Sequence, residues 1–313
     1  MTPGSPPVVG LDLGGTKIDA ALVAADGTVL ARHRSPTPAT EGPEAVLDAL
    51  AEAARAVRGP EAAALGVAAA GVIDPVTGTV TSATDTIAGW AGTPLAAGLA
   101  ARTGLPVACD NDVRAAATTE LALPGGSFLY AAVGTGVGGA VAVAGRLLHG
   151  VAGAAGHLGH LPSPEATGLP CTCGATGHLE AVAAGPAIAA HYARLTGTSP
   201  GPLQRVAAYA GHGDPHALAA LTRGARAVGR ALGGLANALG PERVVVAGGV
   251  LRTGALYRDA LCEAFAAELI TPLRELRPTA PHVGHDAAVL GAAGLTRTLP
   301  LHAPRTRTTG APR

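Results

Sequence analysis

Residues 8–23 read VVGLDLGGTKIDAALV, two apolar runs on either side of a glycine turn. The first run contains one acid, Asp12, and the second run, 18–23, alternates in hydrophobicity. Two such runs joined by a short glycine-containing turn are typical of a β-hairpin. A turn built on Gly14 and Gly15 also brings backbone N–H groups together with no Cβ between them, and this geometry suits a phosphate. An ordinary hairpin turn is the simpler alternative.

The polar residues of this turn favour the phosphate interpretation. Thr16 adds a hydroxyl group, and Asp12 could hold a magnesium ion through water. Lys17 is the only lysine in a chain that has 22 lysine and arginine residues. A single ammonium group at this turn favours a phosphate loop over an ordinary hairpin turn.

A second glycine hairpin opens the second half of the chain. Residues 128–133 form an apolar run, 134–139 read GTGVGG, and 140–144 alternate in hydrophobicity. GTGVGG matches the dinucleotide fingerprint, but that fingerprint requires a helix that begins at the loop. The strand-like pattern that follows argues against a Rossmann site and predicts a second phosphate hairpin.

Strand and helix patterns alternate along the rest of the chain, which indicates an α/β fold. Because the hairpin pattern restarts near residue 123, we predict an N-terminal lobe of residues 1–122, joined by the helix 286–298, and a C-terminal lobe of residues 123–285. Residues 300–313, with little apolar content, are predicted to be a disordered tail. The other predicted strands are 65–70, 107–109 and 244–247, and the other predicted helices are 43–57, 95–102, 113–121, 179–195, 214–239 and 255–270.

Composition limits the class of partner. With 313 residues, of which 48% are apolar, the chain can fill two hydrophobic cores. A net charge of zero provides no basic field for nucleic acid or for an anionic membrane, so we expect a small-molecule partner. The longest apolar run, 62–73, is shorter than the roughly 18 residues that span a bilayer. Since the N-terminus lacks a secretory signal, we predict a cytoplasmic protein.

Residues 157–180, HLGHLPSPEATGLPCTCGATGHLE, concentrate side chains that bind metals. The stretch holds two of the chain's four cysteines, Cys171 and Cys173, together with three histidines. In a reducing compartment these cysteines fit better as thiolate ligands than as disulfide partners. The stretch is either a metal site that ties down a loop or the wall of an active site.

Two glycine hairpins that open two α/β halves, with Asn111 and Asp112 at the head of a helix between them, resemble the two-lobed sugar kinases of the actin and hexokinase kind. Residues 157–180 narrow the resemblance to the ROK family (repressors, open reading frames and kinases), whose pattern there is GExGH, a spacer and CxCGxxGCxE. The resemblance covers residues 8–298. It implies a ribonuclease H-like ATPase fold with an interlobe cleft, ATP and Mg²⁺ as cofactors, a structural Zn²⁺, and a homodimer or homotetramer. No helix-turn-helix precedes Val8, which disfavours the repressor branch.

The resemblance also assigns roles to positions of this chain. Asp112 matches the general base that takes the proton of a sugar's 6-hydroxyl, with a plain helix N-cap, by Asp112 or by Asp110, as the alternative. The sugar-binding candidates, in the N-terminal lobe and on the zinc loop, are Gly71, Asn111, Asp112, His157, His160 and Glu180. The nucleotide-binding candidates are Asp12, Gly14, Gly15, Thr16 and Lys17 in the first turn, Gly134, Thr135, Gly136 and Gly138 in the second, and Gly248 and Gly249 at the adenosine pocket. The zinc candidates are His160, Cys171, Cys173 and His178, a set that leaves no position open, as in a structural site.

Three positions depart from the family pattern. His178 stands where a cysteine is usual, and Thr86-Ile87 replaces an Asn-Leu pair, which removes one amide contact. His157 replaces the first glutamate of GExGH and resembles the GHxGH of bacterial N-acetylmannosamine kinases. An imidazole can donate a hydrogen bond to an acetamido carbonyl, whereas a carboxylate can only accept one.

These features imply an ATP-dependent sugar kinase that phosphorylates the 6-hydroxyl of a hexose or an N-acylhexosamine, with N-acetylmannosamine favoured. The alternative within this class is a glucokinase, if His157 reflects drift without a change of specificity. A non-catalytic sugar-binding sensor is the alternative of another class. The intact DLGGTK, ND and GTGVGG motifs argue against it.

Overall fold

Each half of the chain folds around a five-stranded mixed sheet, and the two sheets have the same strand connectivity. The computed structural model describes residues 5–199 and 201–299, so the predicted tail at 300–313 lies outside the described residues. Residues 5–119 with 285–299 form one compact unit, and Glu120–Gly284 forms the other. The division of sugar and nucleotide binding between two lobes stays a prediction.

The first sheet contains the predicted hairpin. β1 runs antiparallel to β2 and parallel to β4, which confirms the hairpin of residues 8–23. The spatial order is β3-β2-β1-β4-β7, while β5 and β6 pair only with each other. The strands are β1 Val8–Leu13, β2 Lys17–Val23, β3 Val29–Pro36, β4 Leu65–Ala69, β5 Val72–Asp74, β6 Thr79–Ser82 and β7 Val107–Asn111.

Helices cover both faces of this sheet. They are α1 Pro43–Val57, α2 Leu95–Thr103, α3 Asp112–Thr118 and the C-terminal helix Ala287–Leu295. Val9, Leu11 and Leu13 of β1 share a core with the apolar face of α1, while Val8 packs in a second cluster with Val289 of the C-terminal helix. Because alternate side chains of a strand point to opposite faces, β1 is buried on both sides.

The C-terminal helix packs against its neighbours at backbone distance. A Cβ on Gly66 of β4 would lie 1.8 Å from the carbonyl oxygen of Ala292, and a Cβ on Gly291 would lie 1.8 Å from that of Ala115 in α3. Glycine permits such an approach because it has no side chain. The helix therefore joins the sheet and α3 into one rigid block.

The second unit repeats the plan of the first. β8 runs antiparallel to β9 and parallel to β11, which confirms the second predicted hairpin. The spatial order is β10-β9-β8-β11-β12. The strands are β8 Phe128–Val133, β9 Val137–Val143, β10 Arg146–Leu147, β11 Arg243–Ala247 and β12 Pro278–Thr279.

The described part of the second unit contains five α-helices. They are α4 Glu180–Ala183, α5 Gly185–Thr196, α6 Leu203–Gly211, α7 Pro215–Leu239 and α8 Ala255–Glu268. The side chain of Asp214 accepts hydrogen bonds from the first backbone N–H groups of α7, those of His216 and Ala217. Among residues 5–199 and 201–299, no helix combines the length and the apolar character needed to cross a membrane.

Some predicted boundaries are wrong. The glycine loop predicted at 134–139 ends at Gly136, because β9 begins at Val137 and includes Gly138. The helix predicted at 179–195 is interrupted at Ala184, whose extended backbone (φ −63°, ψ 149°) separates α4 from α5. Pro186 lies in the first turn of α5, where the N–H group that proline lacks would have no helical partner.

The sequence patterns also missed several elements and extended some helices too far. β3 is an exposed edge strand that carries Arg and His. The helix α6, which buries only Val206, and the short strands β5, β6, β10 and β12 were not predicted either. The helix predicted at 113–121 ends at Thr118 and continues as a 3₁₀ turn, Thr119–Ala122. The last helix likewise ends at Leu295 and continues as a 3₁₀ turn, Thr296–Thr298.

The close packing of the C-terminal helix predicts opposite effects for two similar substitutions. Gly291→Ala places a methyl group against the backbone of Ala115 and should lower the free energy of unfolding by about 1–3 kcal/mol. Gly294→Ala, in the same helix, meets only the hydroxyl of Thr118 at 3.6 Å. It should be neutral or stabilise by up to about 1 kcal/mol through helix propensity. Urea unfolding measures both variants, and equal effects would contradict the packing described.

Candidate functional site

The corner between β7 and α3 holds the Asn-Asp pair. Asn111 caps α3, since its side-chain oxygen accepts hydrogen bonds from the backbone N–H groups of Val113 at 3.0 Å and Arg114 at 3.2 Å. Its side-chain amide donates to the carbonyl oxygen of Gly71 at 3.0 Å and to the carboxylate of Asp112 at 2.9 Å. The pair is therefore held by both the helix and the turn that contains Gly71.

The alternative that Asp110 or Asp112 caps this helix is wrong, because Asn111 is the N-cap. Asp110 instead forms a buried ion pair with Arg114, in which Nε of Arg114 lies 2.8 Å from Oδ1 of Asp110. Each side chain is only 1% exposed. Arg114 also donates to the carbonyl oxygen of Ile73 at 3.4 Å. The two opposite charges thus lie on either side of Asn111 and Asp112 in the sequence.

Sequence reasoning did not single out Arg114. A signal was present, because an acid and an arginine four residues apart are neighbours on a helix surface. Here the acid precedes the helix, and the pair turns inward rather than towards water. Only the burial of Arg114 distinguishes this pair from an ordinary exposed one.

Asp112 itself is half-buried and hydrogen-bonded. Its carboxylate accepts from the backbone N–H of Val113 at 2.9 Å, in addition to the amide of Asn111. Burial raises the pKa of Asp112 above its ordinary value, and these hydrogen bonds oppose that rise. The result is a fixed carboxylate of increased basicity.

Asp12 lies in the same unit and interacts electrostatically with Asp112. Burial, followed by the negative charges of Asp112 and Asp19, raises the pKa of Asp12 to about 7, while the Lys17 ammonium opposes the rise. Asp12 and Asp19 are directly opposite each other on β1 and β2. Such a group of carboxylates fits Mg²⁺, a hard cation that takes oxygen ligands and would relieve their repulsion.

The first glycine turn is closed by a hydrogen bond from the N–H of Gly14 to the carbonyl oxygen of Lys17, at 3.0 Å. The ammonium of Lys17 is 51% exposed and pairs with Asp19 at 2.7 Å. A Cβ on Gly15 would lie 2.4 Å from the side chain of Thr86. Thr86, one of the departures from the family pattern, therefore lies directly against this turn.

A charged cavity of about 270 Å³ lies beside Asp12 in the first unit. On one side, Asp19 bonds both Lys17 and Arg34. On another, Arg32 donates to Asp286 at 2.7 Å. Sequence reasoning missed Arg32 and Arg34 because they lie on β3, a strand that it did not predict.

The second glycine turn lies in the second unit and spans Gly134 to Gly136. The N–H of Gly134 donates to the carbonyl oxygen of Gly136 at 2.8 Å, and the N–H of Gly185, at the start of α5, donates to the carbonyl oxygen of Gly134 at 2.8 Å. Thr135 is at the tip of this turn. Gly138 lies in β9, two residues after Gly136, and is therefore outside the turn.

The third glycine pair follows β11. Gly248 has φ of 107°, and a Cβ there would lie 2.2 Å from the carbonyl oxygen of Val133. Only glycine tolerates both the dihedral angle and the approach. Gly249 begins the 3₁₀ turn Gly249–Thr253.

The four predicted zinc ligands lie together. One ligand atom from each of His160, Cys171, Cys173 and His178 falls within 4.8 Å of the others. The Sγ of Cys171 is 3.7 Å from Nδ1 of His160, and the Sγ of Cys173 is 3.2 Å from Nδ1 of His178. A tetrahedral zinc site with these ligands has edges of about 3.4–3.8 Å, so the donor set and its spacing fit zinc.

Backbone hydrogen bonds fold the segment that carries the four zinc candidates into a compact loop. Pro162 pairs with His178 and Pro170 with Thr176 as isolated bridges. The ring of His157 stacks on that of His160 with the centroids 6.4 Å apart. His157, the second departure from the family pattern, is thus adjacent to a zinc candidate.

Glu180 begins α4 at the end of this segment. Its Oε2 accepts from the backbone N–H of Val137 at 2.8 Å, and its Oε1 accepts from the hydroxyl of Thr172 at 2.8 Å. Sequence reasoning placed Glu180 near the sugar. It did not predict that both oxygens would be engaged by protein donors.

All of these residues lie in a region that matches a known family. The sequence model of the ROK family matches residues 8–298. The chain belongs to the ROK family. This confirms the resemblance drawn from the sequence motifs, while the roles of the individual site residues stay predictions.

Proteins named glucokinase and proteins named N-acetylmannosamine kinase are both similar to this ROK chain. A glucokinase from Streptomyces coelicolor is 33% identical over 92% of this chain and 97% of its own length. An N-acetylmannosamine kinase from Escherichia coli is 37% identical, also over 92% of this chain and 97% of its own length. The crystal structure of a ROK family glucokinase from Streptomyces griseus in complex with glucose and AMPPNP has a TM-score of 0.79 at 31% identity, covering 93% of this chain and 99% of that one. The predicted two-lobed, actin-like α/β fold class is confirmed.

The buried ion pair predicts that Asp110 is essential to stability. Asp110→Ala removes the carboxylate from a buried guanidinium and should lower the free energy of unfolding by about 3–5 kcal/mol. Asp48→Ala is the control, because Asp48 pairs with Arg102 while 64% exposed and should cost at most about 1 kcal/mol. Urea unfolding compares the two, and similar losses would show that burial adds nothing to the Asp110–Arg114 pair.

Proposed function

We propose that this ROK-family chain is an ATP-dependent sugar kinase that phosphorylates the 6-hydroxyl of a hexose or an N-acylhexosamine. The observation that carries the proposal is Asp112, a fixed, half-buried carboxylate whose pKa is raised by burial. It stands beside Asn111 at the head of α3. Relatives named glucokinase and N-acetylmannosamine kinase, each matched over most of both chains, support the same class of reaction.

Asp112 acts as the general base in this proposal. It takes the proton from the sugar hydroxyl, the hydroxyl oxygen forms a bond to the γ-phosphorus, and the bond from that phosphorus to the bridging oxygen breaks to release ADP. A raised pKa makes the carboxylate a stronger base. The hydrogen bonds from Asn111 and Val113 hold it in one orientation.

The glycine turns hold the nucleotide in this proposal. In glycine-rich turns, backbone N–H groups can surround phosphate oxygens because no side chain lies in the way. Asp12 would hold Mg²⁺, which neutralises phosphate charge when bound. The turn at Gly248 and Gly249 would contact the adenosine, and Thr135 would place its hydroxyl near a phosphate. The ammonium of Lys17 supplies positive charge at the edge of the first turn. Its Nζ forms an ion pair with Oδ2 of Asp19 at 2.7 Å.

Asn111, Gly71, His157, His160 and Glu180 are the proposed sugar-binding residues. Among them, His157 favours N-acetylmannosamine as substrate, since an imidazole N–H can donate to an acetamido carbonyl. The similarity to an N-acetylmannosamine kinase, at 37% identity, supports this preference. Zinc, held by the four-residue set, would serve to fix the loop that carries His157 and His160.

Glucokinase activity is the second candidate. A glucokinase is 33% identical to this chain, and a ROK glucokinase of known structure was crystallised with glucose and AMPPNP. We also propose that the protein works in the reduced environment of the cytoplasm, because Cys171 and Cys173 must be thiolates to bind zinc. The homodimer or homotetramer implied by the resemblance stays a prediction.

Substitution of Asp112 tests the general base. Asp112→Asn should lower kcat by about 10²–10⁴-fold while AMPPNP binding is retained. In the wild type, activity should fall as the pH drops through the raised pKa of Asp112, at a higher pH than for an ordinary carboxyl, because the protonated acid cannot accept a proton. A coupled kinase assay over pH measures both. Asp26→Asn, at an exposed position, is the control, and near wild-type turnover by Asp112→Asn would rule out the assignment.

Substitution of His157 tests the sugar preference. His157→Glu replaces a hydrogen-bond donor by an acceptor and should lower the ratio of kcat/KM for N-acetylmannosamine to that for glucose by about tenfold. A panel of hexoses and N-acetylhexosamines, assayed with both proteins, gives this ratio. His216→Glu, at an exposed position of α7, should leave it unchanged. If the ratio is unchanged in His157→Glu, position 157 has drifted without a change of specificity, and the glucokinase alternative is favoured.

A further inference from the structure

The carboxylate of Glu180 connects two segments that are far apart in the sequence. One oxygen accepts a hydrogen bond from the N–H of Val137, which directly follows the second glycine turn and begins β9, at 2.8 Å. The other accepts the hydroxyl of Thr172 at 2.8 Å. Glu180 is therefore bonded at once to the proposed nucleotide turn and to the metal-binding loop.

Thr172 occupies a particular position in that loop. It lies between Cys171 and Cys173, two of the four side chains that can bind one metal ion. Coordination of both cysteines by one ion would restrict the backbone of the residue between them. The direction of the Thr172 hydroxyl would be restricted with it.

The surroundings of Glu180 leave little freedom for its carboxylate. A Cβ on Gly136 would lie 2.6 Å from Oε2 of Glu180, and a Cβ on Gly159 would lie 3.2 Å from the same atom. Gly159 directly precedes the zinc candidate His160. The carboxylate is thus enclosed by the glycine turn on one side and by the segment that carries a metal ligand on another.

We propose that Thr172 is a positioning residue that relays metal occupancy to the nucleotide turn through Glu180. With zinc bound, the Thr172 hydroxyl holds the Glu180 carboxylate, which in turn holds the N–H of Val137 and the turn Gly134–Gly136. Without zinc, the loop loses its restraint and the turn loses one of its supports. The relay rests on the proposed function in one respect, namely that this turn binds the nucleotide.

The relay predicts coupling between zinc and nucleotide, in addition to any effect of zinc on sugar binding. Removal of one hydrogen bond to a carboxylate at this exposed position should weaken AMPPNP binding by roughly fivefold. Because Thr172 acts through Glu180, loss of zinc and loss of the hydroxyl should not add to each other.

The experiment measures the Kd of AMPPNP by calorimetry with zinc-loaded and zinc-stripped protein, together with zinc content. Thr172→Val removes the hydroxyl and keeps the shape, and Thr172→Ser restores the hydroxyl. Thr167→Val is the matched control, because the Thr167 hydroxyl lies in the same segment but bonds only the carbonyl oxygen of Pro164, at 2.8 Å. Zinc-loaded Thr172→Val should still contain one zinc and should bind AMPPNP about fivefold more weakly than wild type. Removal of the zinc should then change its Kd for AMPPNP little. Thr172→Ser and Thr167→Val should resemble wild type, and KM for ATP should rise in Thr172→Val with little change in kcat.

Several outcomes overturn the relay. It is wrong if zinc-loaded Thr172→Val binds AMPPNP as tightly as wild type, or if stripping leaves the wild-type Kd unchanged. If Thr172→Val loses its zinc, Glu180→Gln provides the test, because it leaves all four candidate ligands in place. The relay would be contradicted if removal of zinc weakened AMPPNP binding by Glu180→Gln as much as it weakens binding by the wild type. Zinc-loaded wild type that fails to bind AMPPNP at all would instead refute the nucleotide-binding role of the turn and the proposed function with it.

Discussion

The β7–α3 corner depends on one constraint, the burial of the Arg114 guanidinium. A cation that is 1% exposed is tolerated only beside a carboxylate and further acceptors, which here are Asp110 and the carbonyl oxygen of Ile73. This requirement fixes the end of β7 and the first turn of α3 relative to each other. Asn111 and Asp112 lie between the two charges, so their positions follow from the ion pair before any substrate is present.

Partly buried carboxylates lie at the other functional positions. In the first unit, burial and neighbouring negative charges raise the pKa of Asp12 to about 7, a strain that a divalent cation would relieve. In the second unit, Glu180 is satisfied by two donors from different segments. A carboxylate with a raised pKa is typical of a functional site, which is consistent with the role proposed for Asp12.

Much of the fold follows from short-range patterns. Apolar periodicity and glycine act locally, so the sequence predicts several elements correctly. These are the glycine hairpins at 8–23 and 128–143, the strands 65–69 and 243–247, and the long helix at 215–239. The zinc set is readable for a similar reason, since its four side chains lie within one short segment whose own backbone bonds bring them together. β3, an exposed edge strand, and α6, which buries only Val206, were not predicted, because few of their side chains face a core.

The sequence by itself determined the two hairpin-led α/β halves, the ROK family and the candidate residues for zinc and phosphate, because each is encoded by neighbouring residues or by spacing. The tertiary structure decided that Asn111 rather than an aspartate caps α3, that Arg114 is buried, and that Glu180 bonds both the loop of zinc candidates and the strand after the glycine turn. The physical reason is that propensity and hydrogen-bonding capacity belong to a residue, whereas burial, desolvation and the choice of partner depend on atoms that only folding brings near.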